Sequence, residues 1–299
     1  MRLLKLKTVL AATDLDPSSD PAIESAARLA DAAGAKLHIA HVIASDQTGT
    51  QSPVSSSDTS AQMAATLGRL GLSVKEGRVH IESGTPANVL SLLSDQIKAD
   101  VIVIGRHRAR TDLPAERPVG STAYSIITRT LSPCLVTSLP LRLPLRRALV
   151  AIDASEAARG ALLVALSWSS ALRSQKAKGP EPTLTALHVE SGETRSAADA
   201  HMKRTVDHEL DVLRRSAGSW AGVSVEGASE TNADPVEAIA KYATDQEADL
   251  VVLGTRGLSA DLVQRLGSVS AAVTRRLQLP VLLVPPSVWR DFARDIDYF

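Results

Sequence analysis

The sequence predicts an α/β protein built as two tandem open parallel sheets, each of five strands with helices on both faces. Two observations predict this fold. The first is a duplication, because "SGTPANVLSLLSDQIKADVIVIG" aligns with "TNADPVEAIAKYATDQEADLVVLG", and "GSTAYSIITRTLSPCLVTSLP" aligns with "GSVSAAVTRRLQLPVLLVPP". The second is that short apolar strand patterns alternate with helical patterns in each copy, as in parallel sheets covered on both faces. We therefore predict one domain over residues 1–143 and a second over 144–299.

The predicted elements follow the same order in both copies. The strands of the first copy are TVLAAT, KLHIAHV, RVHIES, VIVIG and CLVTSL, and those of the second are ALVAID, LTALHV, VSVEGA, LVVLG and VLLVP. Apolar residues three and four positions apart, with a proline in the first turn, predict helices over Pro21–Ala33 and Pro235–Gln246. The polar stretch Ser45–Ser60 is interpreted as a mobile loop, either a lid or a plain linker. Ligands of such sheets bind beyond the carboxyl ends of the strands.

Composition and charge exclude several classes of protein. The 299 residues include 33 basic and 33 acidic side chains, so no overall basic field favours nucleic acid or an anionic membrane. No apolar run reaches the length of a membrane span, and the lysines among the first apolar residues argue against a signal peptide. The single cysteine, Cys134, excludes an internal disulfide and is expected to be a buried strand residue rather than a reactive thiol. We expect a cytoplasmic protein.

The stretch Ala248–Ser270, "ADLVVLGTRGLSADLVQRLGSVS", has the features of a ligand loop. A strand runs into Gly254 and Gly257, and nine residues separate Gly257 from Gly267-Ser268. Without a Cβ, such a turn can form tightly and approach a ligand closely, and the amides at the next helix N-terminus can hold phosphate oxygens. The alternative interpretation is that these glycines only make a turn and cap a helix.

This glycine pattern, with Asp153 after the first strand of the second copy and Val189 after its second strand, resembles the nucleotide-binding signature of the universal stress protein family. Both copies follow the pattern in outline, so the whole chain resembles a tandem universal stress protein with an adenine nucleotide alpha hydrolase-like fold. The resemblance implies ATP in the second copy, with Mg²⁺ on its phosphates, and a stress-response or regulatory role. In that family the aspartate and valine positions bracket adenine and ribose, and the glycine loop holds the phosphates. The implied cofactor-binding residues are Ile152, Asp153, Val189, Leu253, Gly254, Arg256, Gly257, Gly267, Ser268, Val269 and Ser270.

The first copy departs from this pattern, because Arg108 stands where the second glycine is expected. Its loop is two residues longer and contains two prolines, which have no amide hydrogen to donate. The residues that it does share with the pattern are Asp14, Val42, Gly105, Gly120 and Ser121. We predict that this copy has lost the nucleotide site. The alternative is an anion site made by charge. Its side chains would be Arg106, Arg108 and Arg110.

Catalytic motifs are missing from the sequence. The second copy has no Gly-x-Ser-x-Gly elbow of an α/β-hydrolase, and neither copy has the Gly-x-x-x-x-Gly-Lys-Ser/Thr loop of a P-loop NTPase. We therefore expect no catalytic residue and no enzyme, although slow ATP hydrolysis stays open. The histidines His38, His188, His201 and His208 are scattered, so we interpret them as structural or surface residues and expect no metal site in the protein. The alternative function is a non-catalytic interaction scaffold whose nucleotide site is empty or structural.

Two features concern assembly. The family resemblance implies that the last strands of the two copies, CLVTSL and VLLVP, pair in a pseudo-twofold monomer, with a homodimer as a further possibility. In the tail, Trp289, Phe292, Ile296 and Phe299 have the spacing of one helical face. That face either completes the core of its own domain or docks in a groove of a second subunit or partner.

Overall fold

The computed structural model describes residues 4–44, 56–75, 77–106, 120–153, 155–173, 181–190, 204, 207–208, 211, 222–257 and 266–295. The chain divides into two units, one of residues Leu6–Leu141 and one of residues Arg142–Phe299 with Met1–Lys5. The division between Leu141 and Arg142 lies within the stretch "LPLRLPLRR", two residues before the predicted end of the first domain.

The first unit is a parallel five-stranded sheet in the order β3-β2-β1-β4-β5. Its elements are β1 (Thr8–Thr13), a 3-10 turn (Pro17–Ser19), α1 (Asp20–Ala33), β2 (Lys36–Ala44), α2 (Ser56–Arg69), β3 (Val79–Gly84), α3 (Pro86–Ile97), β4 (Val101–Gly105), α4 (Ser121–Arg129) and β5 (Cys134–Thr137). Val9 of β1 lies in register with Leu37 of β2 and Val101 of β4. The chain extends outward from β1 to β3 and then returns to the other side of β1, so the strand order reverses beside β1.

The second unit repeats this order as β8-β7-β6-β9-β10. Its elements within the described residues are β6 (Arg147–Ala151), α5 (Glu156–Ala171), β7 (Thr183–Glu190), β8 (Ser224–Thr231), α6 (Pro235–Asp245), β9 (Leu250–Gly254), α7 (Ser268–Arg276), β10 (Val281–Val284) and α8 (Pro286–Asp295). The strand order reverses beside β6. The prediction of an α/β protein with parallel five-stranded sheets is confirmed in both units.

Continuous apolar strands form the core of each sheet, as expected for strands covered on both faces. Val9, Leu10 and Ala11 in β1 are fully buried, and so are Val251 and Val252 in β9. The predicted start of α6 is also confirmed. Its N-cap residue is an aspartate whose carboxylate accepts the amide hydrogens of the second and third residues of the helix, and a proline occupies the first position.

Some predicted boundaries are wrong. Residues 56–60, assigned to a polar loop, are the first turn of α2. Thr59, Met63 and Thr66 are buried at helical spacing, and the two threonines conceal this periodicity in the sequence. Strand β5 ends at Thr137, whereas "CLVTSL" extended it to Leu139, which is 49% exposed.

Helix α8 packs on α5 within the second unit. Trp289 and Phe292 are 1% and 4% exposed, and Ala293 is fully buried. A Cβ added at Gly160 of α5 would lie 3.3 Å from the amide nitrogen of Trp289, so glycine allows this close approach of the two helices. For these residues the prediction that the tail completes the core of its own domain is confirmed, whereas Ile296 and Phe299 lie outside the described residues. Every helix that the structure describes is too short or too polar to span a lipid bilayer.

Candidate functional site

A cavity of about 380 Å³ opens at the carboxyl ends of β6, β7 and β9. It lies beside β6, where the strand order reverses, which is the place where open parallel sheets bind ligands. All eleven residues that the sequence analysis assigned to a cofactor line this cavity. Ile152 and Asp153 follow β6, Val189 lies in β7, Leu253 and Gly254 end β9, Arg256 and Gly257 follow β9, and Gly267, Ser268, Val269 and Ser270 form the beginning of α7.

Asp153 is held by the main chain at the start of α5. Its Oδ1 accepts a hydrogen bond from the Ser155 N–H (3.0 Å). Ser155 is the N-cap of α5, because its Oγ accepts the Ala158 N–H (3.1 Å). The same hydroxyl donates to the carbonyl oxygen of Arg256 (3.2 Å). Ser155 therefore links the aspartate, the first turn of α5 and the glycine loop, the segment after β9 of which residues 254–257 are described.

Gly254 is required for packing against α5. A Cβ at this position would lie 2.8 Å from the carbonyl carbon of Ala157 and 2.9 Å from the amide nitrogen of Ala158. Because both are backbone atoms, a side chain here would push α5 away from β9. Packing against α5 is thus a reason for Gly254 that the sequence did not indicate, and its role in ligand approach stays a prediction.

Gly257 and Gly267 have different surroundings. A Cβ on Gly257 would lie 2.8 Å from Oδ2 of Asp153, whereas a Cβ on Gly267 would meet no atom of the described residues closer than 3.6 Å. Gly254, Gly257 and Gly267 all have φ outside the left-handed region, so their backbone conformations do not require glycine. Among the three, Gly257 is thus the glycine whose missing side chain keeps room around the cavity's carboxylate.

The first turn of α7 directs amide groups toward the end of β9. The N-cap of α7 is Gly267, which has no side chain that could accept the amides of the first turn. The first intrahelical bond runs from the Ala271 N–H to the Gly267 carbonyl oxygen (3.0 Å), so the amides of Ser268, Val269 and Ser270 precede the helical ladder. Three successive amides at the positive end of a helix dipole form an anion-binding environment.

Two hydrogen bonds fix α7 on the end of β9. The Gly267 N–H donates to the carbonyl oxygen of Thr255 (2.7 Å), and the hydroxyl of Ser270 donates to the carbonyl oxygen of Gly254 (2.6 Å). Ser270 is 7% exposed, so its hydroxyl belongs to the scaffold of the site. Its amide, rather than its hydroxyl, is the group left for a ligand.

The cavity is also lined by seven residues that were not assigned to the site from the sequence. They are Ala151, Ser155, Ala158, Leu187, His188, Pro235 and Ile239. His188, interpreted from sequence as structural or surface, donates from Nδ1 to the carbonyl oxygen of Ile152 (3.1 Å) and also borders the cavity. The duplication could have identified it, because His41 has the same place in the first copy and donates to the Thr13 carbonyl oxygen (2.9 Å).

The first unit keeps only part of this arrangement. Oδ1 of Asp14 accepts the Asp16 N–H (3.1 Å), as Asp153 does from Ser155, but the carboxylate of Asp16 has no hydrogen to donate to a loop carbonyl. Where the second unit has Ser270, the first has Ala123, which cannot form the bond to the end of the strand. The predictions for Arg108, Arg110 and the two loop prolines concern positions outside the described residues. Arg106 has the place of Thr255, and burial lowers the pKa of its guanidinium to about 10.

The remaining reactive side chains have structural surroundings. Cys134 is buried, as predicted, and burial raises the pKa of its thiol, which therefore stays protonated. His38 and His80 share a hydrogen bond between Nδ1 and Nε2 (3.0 Å). His208 is exposed, and His201 lies outside the described residues. Within the described part of the chain, no three His, Cys, Asp or Glu side chains are placed to hold a metal ion.

Comparisons with known proteins agree with this duplication. The model of the Universal stress protein family matches residues 5–138 and again residues 144–285. A universal stress protein of Thermus aquaticus is 40% identical over 83 residues, which are 28% of this chain and 60% of that protein. A universal stress protein of Mycobacterium tuberculosis is 46% identical over 50 residues, 17% of this chain and 34% of that protein. The matched stretches span less than two thirds of either curated relative.

A solved structure covers both units. The universal stress protein from Archaeoglobus fulgidus DSM 4304 superposes with a TM-score of 0.65, over 94% of this chain and 97% of that one, at 20% identity. At this identity the likeness shows the fold alone, namely tandem α/β domains of this type.

Proposed function

Because the chain belongs to the universal stress protein family, and the glycine pattern of its second copy resembles the nucleotide-binding signature of that family, we propose that its second unit binds ATP and serves as a regulatory module of the stress response. The observation that carries this proposal is the convergence of eleven residues from two strand ends, one strand and one helix N-terminus on a single cavity of about 380 Å³. A volume of this order suits a nucleotide-sized ligand.

In this proposal the nucleoside binds between the ends of β6 and β7. Ile152 and Val189 offer apolar contact on this side, and Asp153 is the carboxylate that would accept a ribose hydroxyl. The bond from the Ser155 N–H fixes one oxygen of Asp153 (3.0 Å), so the other oxygen has a defined position. A held acceptor binds a hydroxyl better than a mobile one, because less side-chain freedom is lost on binding.

The phosphates are placed at the N-terminus of α7. The amides of Ser268, Val269 and Ser270 and the helix dipole favour negative charge there, and Arg256 adds a cation at the cavity. Asp153 is the one carboxylate among the described cavity-lining residues. A Mg²⁺ ion would therefore take most of its ligands from phosphate oxygens and water, as is usual for this ion.

The ATP is a ligand of the protein and not its substrate in this proposal. Asp153 and His188 are the described cavity residues that could accept a proton from water, and each is held by a hydrogen bond with the main chain on the nucleoside side. A general base for hydrolysis has to reach the attacking water at the terminal phosphate. Single-turnover incubation with ATP and Mg²⁺ should release no phosphate on the timescale of binding.

The two copies provide a matched test of binding. Calorimetry with ATP and Mg²⁺ should give one ATP per chain, and mass spectrometry should identify the nucleotide that purified protein releases on denaturation. Asp153→Asn should weaken binding by about tenfold or more, since a hydrogen bond to a charged group contributes roughly 1.5–3 kcal/mol. Asp14→Asn, the same change at the equivalent position of the first copy, should leave binding unchanged. Binding abolished by Asp14→Asn would contradict the assignment to the second unit, and a protein that binds no nucleotide would favour the scaffold function.

A further inference from the structure

Helix α8 lies beyond the part of the chain that the family model matches. The second family match ends at residue 285, and α8 begins at Pro286. The helix nevertheless packs with nearly complete burial of Trp289 and Phe292. Its docking surface is α5, the helix whose first turn forms one wall of the candidate nucleotide site.

The cavity side of α5 is in contact with the glycine loop. The Ser155 hydroxyl donates to the Arg256 carbonyl oxygen (3.2 Å). Ala157 leaves no space for a Cβ on Gly254, and Ala158 lines the cavity itself. The position of residues 155–158 therefore sets the position of the loop's described residues, 254–257.

The beginning of α5 also contacts α8, through a second set of residues. Oε2 of Glu156 accepts a hydrogen bond from Nε of Arg290 (2.7 Å). The guanidinium of Arg159 lies 5.7 Å from the ring centre of Trp289, within the range of a cation–π contact. Gly160 is close to the backbone of Trp289. Residues 155–160 therefore contact the glycine loop on one side and α8 on the other.

A second connection passes through β10. The Thr255 N–H, within the glycine loop, donates to the carbonyl oxygen of Val284 (2.9 Å). Val284 is the last residue of β10, two residues before α8 begins. Displacement of α8 would thus act on the loop from the end of β10 as well as from α5.

We propose that α8 regulates the nucleotide site: docked on α5, it holds the first turn of α5 in the position that binds ATP, and bound ATP in return stabilises the docked helix. The inference rests on the proposed function. The two-state element is α8, docked or released. A ligand that binds an ordered wall better than a loose one must favour the docked state, and by reciprocity docking raises the affinity by the same factor.

Hydrogen exchange of the full chain measures one direction of this coupling. Saturating ATP and Mg²⁺ should slow amide exchange in Pro286–Asp295 by at least threefold more than in β8, Ser224–Thr231, a strand of the same unit that does not line the cavity. Equal protection of α8 and β8 would mean that ATP merely stabilises the whole unit, and it would overturn the proposal. Calorimetry on the same sample separates the two ideas: if no ATP binds, the proposed function fails, and the coupling fails with it.

Charge-neutralising variants measure the other direction. Arg290→Gln and Glu156→Gln each remove the ion pair between α8 and α5, so both should raise the Kd for ATP by about two- to fivefold, the range expected for an exposed ion pair. If the variants acted only through their charge on the ATP anion, the Kd would change in opposite directions. Glu156→Gln removes a negative charge and would lower the Kd, and Arg290→Gln removes a positive charge and would raise it. Arg294→Gln is the matched control, since Arg294 is exposed and pairs with Asp291 on α8 itself (3.7 Å). Shifts of opposite sign, or an equal loss in Arg294→Gln, would overturn the coupling.

Discussion

Gly257→Ala tests the geometry of the candidate site with a single added carbon. The new Cβ would lie 2.8 Å from Oδ2 of Asp153, shorter than the distances that real Cβ atoms adopt. The backbone at Gly257 has no left-handed φ, so alanine is tolerated there by the main chain. The substitution should therefore act on the Asp153 carboxylate rather than on the fold.

The size of the effect follows from how far Asp153 must move. To move from 2.8 Å to an ordinary contact of 3.4 Å the carboxylate has to withdraw by about 0.6 Å, which strains its bond with the Ser155 N–H (3.0 Å). A hydrogen bond to a charged group contributes roughly 1.5–3 kcal/mol, and tenfold in affinity corresponds to about 1.4 kcal/mol. We expect the Kd for ATP to rise about tenfold and the melting temperature to change little.

The other two glycines are built-in controls. The added Cβ of Gly267→Ala meets no atom of the described part of the chain closer than 3.6 Å, so its melting temperature should equal that of the wild type. Gly254→Ala collides with the backbone of α5 and should cost about 1–3 kcal/mol of stability by overpacking. Calorimetry and thermal unfolding on the three variants check this order. Wild-type affinity for ATP in Gly257→Ala would refute the role that we assign to the carboxylate of Asp153.

Four further changes have defined outcomes. Ser155→Ala should lower both ATP affinity and stability, the latter by about 1 kcal/mol for the lost helix cap, whereas Ser155→Thr should keep both in calorimetry and thermal unfolding. Trp289→Ala should destabilise the protein by about 3–5 kcal/mol in denaturant titration, because the ring is 1% exposed, and unchanged stability would contradict its packing on α5. Burial lowers the pKa of His38 and of His80 below 6.5, so the folded state disfavours the protonated rings. Their contribution to the free energy of unfolding is complete above pH 6.5 and is lost as the pH falls through the folded-state pKa values. Replacing both histidines with Gln should make the free energy of unfolding, measured by denaturant titration, less dependent on pH in this range. Residues 1–143 and 144–299, produced separately, should associate or aggregate through their last strands, and two stable monomers in sedimentation would argue against the predicted pairing.

The strands and the site residues could be predicted from sequence because each depends on a local pattern. Continuous apolar runs such as 250–254 identify buried parallel strands, and the glycines at their ends locate the carboxyl edge of the sheet. The reason for Gly254 could not be predicted in this way. It depends on Ala157 and Ala158, almost a hundred positions away in the chain, and alanines on a helix give no signal of what touches them. The first turn of α2 was missed for a related reason, since its buried face includes Thr59 and Thr66.

The duplication separates what the fold needs from what a ligand needs. Gly105 has the place of Gly254 and a weaker constraint of the same kind, because a Cβ there would lie 3.3 Å from Cα of Ser19. The first copy keeps this glycine, yet it has Arg108 in the place of Gly257, whose surroundings in the second copy include a cavity and a carboxylate. Packing thus accounts for the glycine at the end of β4 and β9, which both copies share. Packing alone does not explain Gly257, which only the second copy has. The first copy's loop is two residues longer and contains two prolines, so it need not make the same turn, and affinity measurements on Gly257→Ala are what distinguish a ligand role of Gly257 from a role in the turn alone.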